Sequence, residues 1–162
     1  MSIFLTNLPS QQDNVNMENP DPLSALRPAM AGFFHAYQAF TAGADRMLAE
    51  RGLARVHHRI LFFVAYQPGL SVGALLALLG VSKQALNLPL RQLTQAGLVE
   101  ATPATHDRRV KSLQLTDAGR ALEAALCAEQ QRLLGAAAAS MGEDDARRWQ
   151  AFNRALAGAR EN

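Results

Sequence analysis

The sequence predicts a mainly α-helical chain with one small β-hairpin and long helices at both ends. Three observations carry this. Two short helical segments are separated by only Gly80-Val81-Ser82. Two β-favouring runs flank a basic loop, Thr102 to Arg109. Long stripes of apolar residues at helical spacing precede and follow this central part.

Residues 1–22 are rich in Ser, Gln, Asn, Asp and Pro without periodicity and read as a flexible tail. Ile3-Phe4-Leu5 is too short for the hydrophobic region of a signal peptide, and no positive charge precedes it. Residues 23–52 form a first long helix, with Met30, Phe33, Phe34, Tyr37, Phe40, Ala44 and Met47 on its stripe and Gly52 as its stop.

Residues 53–115 make up the central region. A helix from about Val56 to Tyr66 ends at Gln67-Pro68-Gly69, a strong turn signal. In the segment from Ser71 to Leu79, Leu75, Leu76 and Leu79 share one face, and Leu86, Leu90 and Leu93 do so between Lys83 and Ala96. Gly80 permits the sharp turn between them, Val81 fills its angle and Ser82 caps the second helix. This spacing is that of a helix-turn-helix. Lys83, Gln84, Asn87 and Arg91 are left facing outward, donor-rich side chains of the types that read base edges and phosphates in a major groove. Pro89 lies within this helix, where it removes the N–H partner of the Ala85 carbonyl and is expected to bend the helix locally.

Gly97 ends the second helix, and strands follow near Leu98 to Ala101 and from Val110 to Leu115. The loop between them carries His106, Asp107, Arg108 and Arg109, with Lys111 just beyond. Adjacent arginines at a hairpin tip suit a narrow, negatively charged minor groove, and make the hairpin a wing. His106 is placed to touch phosphate or water.

Residues 116–162 are helical again. Thr116 caps a helix running from Asp117 to about Ser140, with Leu122, Leu126, Leu133, Ala137 and Met141 as its seam. Gly142 breaks it, and a last helix carries Trp149, Phe152 and Leu156 on one face. These helices carry more apolar surface than one small winged helix can cover, so a second subunit is expected over it, with packing within the chain as the alternative.

The net charge of +2 conceals a regional excess. Between Arg51 and Lys111 there are eight basic and two acidic residues, an excess of +6, against −3 before this stretch and −1 after it. Such a concentration favours a polyanionic partner, and a solvated basic face without a partner is the alternative on charge alone. The uncharged run from Ile60 to Ser82 is interrupted by Pro68-Gly69 and reads as two buried helices rather than a membrane span. A single cysteine, Cys127, excludes an internal disulfide and fits a cytoplasmic location; no basic residue lies within one helical turn of it, so it reads as an inert thiol rather than an oxidation sensor. His57 and His58 diverge by about 100° on a helix and cannot share a metal as an i, i+4 pair can. No catalytic constellation, metal site or cofactor motif is present in the sequence, and no enzyme is expected.

At these positions the chain resembles the MarR family of transcription regulators. The resemblance rests on Gly80-Val81-Ser82, on Gly97-Leu98-Val99, and above all on Asp107-Arg108-Arg109 followed by Leu113-Gln114-Leu115-Thr116-Asp117-Ala118-Gly119. Arg55-Val56-His57-His58-Arg59-Ile60, with Lys83-Gln84-Ala85-Leu86, is similar to a subgroup of that family. The resemblance implies a homodimer joined through its terminal helices and bound to double-stranded DNA, with Arg109 in the minor groove and Asp107 orienting it. It also implies a small aromatic or acidic effector near the junction of dimer helices and DNA-binding lobe, for which His35, His57, His58, Arg59 and Phe62 are the candidates. The expectation is an effector-responsive repressor of a pseudo-palindromic operator; the alternative is a winged-helix protein-interaction module that does not read DNA.

Overall fold

A computed structural model describes residues 22–103 and 111–159. Six helices and three short strands follow in the order α1 (Pro22–Ala49), α2 (Arg55–Tyr66), β1 (Leu70–Ser71), α3 (Val72–Leu79), α4 (Lys83–Gln95), β2 (Val99–Pro103), β3 (Lys111–Leu115), α5 (Asp117–Ala139) and α6 (Glu143–Gly158). The chain divides into two compact units between His35 and Ala36, inside α1. Of the first unit the described part is the N-terminal half of α1, where Leu26, Met30, Phe33 and Phe34 are exposed.

In the second unit α2 is the hub, packing against α3, α4, α5 and β3. Its Ile60, Leu61 and Val64 are buried with Leu75 and Leu79 of α3, Leu86 and Leu93 of α4, and Leu122 and Leu126 of α5. The leucine spacing read from the sequence therefore faces inward, as burial of one apolar stripe per helix requires. The antiparallel sheet has the order β1-β3-β2. Its third strand, β1, is not expected from the sequence: two residues are too few to show a period, and pairing of Leu70 with Leu113 is set by the fold. Leu113 and Leu115 of β3 are buried, whereas Lys111, which shares their parity, is exposed at the end of the strand.

Local chemistry sets the helix-turn-helix. Ser71 Oγ accepts from Ala74 N–H at 3.1 Å to begin α3, and Ser82 Oγ accepts from Ala85 N–H at 3.2 Å to begin α4. Between them Gly80 adopts φ 62°, ψ 36°, a left-handed conformation that closes α3 at little steric cost. The two helix axes turn through 116°. Helix α4 runs unbroken from Lys83 to Gln95 with Pro89 inside it.

Thr116 ties the end of α4 to the start of α5. Its hydroxyl donates to the Gly97 carbonyl at 2.6 Å and accepts from Gly119 N–H at 3.0 Å, while its own N–H donates to the Leu98 carbonyl at 3.2 Å. Beyond Gln130 the residues of α5 are exposed or half-buried, and α6 buries none of its residues; Trp149, Phe152 and Leu156 are all exposed. Among the described residues no single helix is long and apolar enough to cross a membrane.

Candidate nucleic-acid interface and the cavity beside it

Helix α4 buries Leu86 and Leu93 and turns Lys83, Gln84, Asn87 and Arg91 to solvent. Ser82, also exposed, is committed to capping through its hydroxyl. Lys111 stands exposed at the start of β3, opposite Pro103 of β2. Among the described residues none of Lys83, Arg91 and Lys111 is in an ion pair, whereas Arg55 is held by Asp45 and Arg132 by Glu129. Unpaired cations need lose no intramolecular partner before they meet phosphate. His106, Asp107, Arg108 and Arg109 lie outside the described residues.

The adjacent histidines of α2 serve different neighbours. The His57 ring is buried and its Nδ1 accepts from Ala54 N–H at 2.9 Å, so Nε2 carries the proton and donates to Gln92 Oε1 at 2.9 Å. One imidazole thus caps α2 and joins it to α4. His58, about 100° round the helix, faces the other way.

His58 lines a cavity of about 330 Å³. Tyr37, Phe40 and Thr41 of α1 form one wall, Arg55, Arg59 and Phe62 of α2 another, and Gln130 of α5 also lines it. Arg55 lies over the Tyr37 ring, 5.2 Å from its centroid. His58 is only 6% exposed and among the described residues its Nε2 has no hydrogen-bond partner. An unpaired buried nitrogen costs about 1–3 kcal/mol, which a ligand group able to bond to it would recover. Of the five effector candidates, the cavity brings together His58, Arg59 and Phe62. His57 is turned to Gln92, and His35 is an exposed residue of α1 in the other compact unit.

Residues 51–110 match the family model for the MarR family. The chain is 41% identical over 117 residues to the HTH-type transcriptional regulator PetP of Rhodobacter capsulatus, spanning 72% of this chain and 70% of that protein. The chain belongs to the MarR family. Fold and family make it a helix-turn-helix transcriptional regulator of the MarR type, a family of regulators rather than enzymes. The same fold recurs in the crystal structure of MarR, with a TM-score of 0.63 at 21% identity over 88% of this chain and 93% of that one. It recurs also in the S. aureus MepR–DNA complex, with a TM-score of 0.66 at 17% identity over 80% of this chain and 96% of that one.

Within this MarR-family fold several neighbours of the candidate residues leave no mark in the sequence. Thr41 and Gln130 stand on different helices and meet at the cavity only through packing, and Gln92 is marked as the partner of His57 by nothing local. The signal that was available is angular: adjacent residues on a helix must face different surroundings.

Burial lowers the pKa of His58 from its ordinary 6.5, and the opposing pull of Glu123 and Asp45 does not compensate. The folded state then binds fewer protons than the unfolded chain. Stability is fully present above the unfolded pKa of about 6.5 and is lost as pH falls below it towards the folded pKa. His58→Phe should flatten the acid-side decline in unfolding free energy by at most about 1.4 kcal/mol per pH unit. Urea titrations from neutral pH downward check this; parallel curves for the two proteins would exclude it.

Cys127 donates its thiol proton to Glu123 at 3.0 Å. Burial, and then this carboxylate, push the thiol up to about 11. Its reaction with a disulfide reagent at neutral pH should be at least about tenfold slower than that of a free cysteine thiol. Labelling as fast as the free thiol would contradict the assignment.

Proposed function

We propose that this MarR-family regulator binds a pseudo-palindromic DNA operator in the cytoplasm as a homodimer, represses transcription there, and is released by a small aromatic or acidic molecule. The observation that carries the reading is the outer face of α4, where Lys83, Gln84, Asn87 and Arg91 stand exposed opposite the buried leucines. Lys83 and Arg91 position the helix on phosphate or guanine, Gln84 and Asn87 read adenine edges, and Ser82 fixes the helix start. Arg108, Arg109 and Lys111 supply the wing contacts, with Asp107 orienting Arg109 in the minor groove.

Dimerisation draws support from the exposed apolar faces: Met30, Phe33 and Phe34 on α1, and Trp149, Phe152 and Leu156 on α6. A dimer engages two half-sites together and so gains more affinity than either alone. The effector occupies the cavity, its polar group at His58 and its ring against Phe40 and Phe62. Because α2 carries both His58 and the His57 link to α4, a ligand that favours one position of α2 biases the position of the reading helix.

Selection of bound fragments from a random duplex pool, with and without aromatic acids, tests the whole. The expected outcome is a two-fold related site with half-sites about one helical turn apart, bound less tightly at higher salt. Failure to enrich any sequence would overturn operator reading. The second reading, a winged-helix module for another protein, is favoured by the apolar Leu88-Pro89 pair on α4; duplex retention that does not fall with salt would support it.

A further inference from the structure

We propose that Leu88 is a specificity-determining residue, reading the C5-methyl group of a thymine in each half-site. This rests on the reading of α4 as the helix that enters the major groove.

Leu88 is 52% exposed, while Leu86 and Leu93 of the same helix are buried and Leu90 is half-buried. A lone exposed leucine is ordinary on a protein surface; its position is what distinguishes this one. At about 100° per residue, Leu88 lies about 40° from Gln84 and about 60° from Arg91, on the side opposite the buried pair. It therefore belongs to the centre of the outward face, among the polar side chains that would meet base edges. It is no part of the buried core, and its nearest neighbours on the helix surface, Gln84, Ala85, Arg91 and Gln92, are polar or small.

The major groove offers one strong apolar feature, the thymine methyl group. A polar side chain at this point would gain nothing from that methyl, and alanine would cover less of it than leucine. Leucine brings a branched apolar end beside Gln84, whose amide matches an adenine edge. Together they specify a half-site in which a thymine lies close to the adenine that Gln84 reads.

The test uses the full chain and the tightest duplex selected from a random pool, with each thymine replaced in turn by uracil. Uracil keeps the base pair and the O4 acceptor and removes only the methyl. At one thymine in a half-site the exchange should weaken the wild-type protein about fourfold, the value of burying one methyl group. Leu88→Ala should bind the original duplex more weakly and lose its preference for thymine over uracil at that position. Leu88→Met, which keeps apolar reach, should retain a preference. A flat uracil scan for the wild type, or an equal preference in Leu88→Ala, overturns the role of Leu88 and leaves operator binding standing. Failure to select any duplex removes the DNA-binding reading and the role of Leu88 with it.

Discussion

Gly119→Ala is expected to lower the unfolding free energy by roughly 2–3 kcal/mol, although alanine favours a helix over glycine by about 1 kcal/mol. A Cβ at this position would lie 1.9 Å from the carbonyl oxygen of Leu98 and 2.9 Å from its carbon. Those are backbone atoms, so no side chain can swing aside. The same oxygen accepts from Thr116 N–H, and Thr116 also holds Gly97, so the segment cannot retreat without releasing the start of α5 from the end of α4. The clash therefore outweighs the gain in helix propensity. Denaturant midpoints measure the loss, and a variant within about 0.5 kcal/mol of wild type would show that the contact relaxes freely.

The position of Gly119 illustrates what sequence does and does not carry. It was legible as part of a recurring string, but its physical role depends on a backbone 21 residues earlier in the chain. The helix-turn-helix was readable because its determinants are local: two serine caps, one left-handed glycine and leucines at helical spacing place α3 and α4 without reference to anything distant. Strand β1 was not, since two residues show no period and their pairing depends on the distant β3. The cavity was half legible. Adjacent histidines had to diverge, but the assignment of His57 to Gln92 and His58 to the cavity follows from how α2 sits among four neighbours. Leu88 shares its residue type with the core leucines and is marked in the sequence only by falling off the face of Leu86, Leu90 and Leu93, a difference that its exposure makes plain.

Asn87→Ala should cost about 1–3 kcal/mol per half-site on the selected operator, or roughly 2–6 kcal/mol for a dimer engaging both. On random duplex its effect should be small, because an amide that both donates and accepts is matched by an adenine edge and adds little at phosphate. Lys83→Ala should behave oppositely. Lys83 is the first residue of α4, where the backbone N–H groups also favour an anion, so its ammonium is expected to meet phosphate rather than a base. Its loss should weaken selected and random duplexes alike and reduce the slope of log affinity against log salt by about 1. Titrations of both variants against both duplexes at several salt concentrations separate the two roles. If Asn87→Ala weakened both duplexes equally, α4 would lie along the backbone instead of in the groove. If neither variant changed either titration, the cationic, amide-bearing face of α4 would have to serve some partner other than DNA.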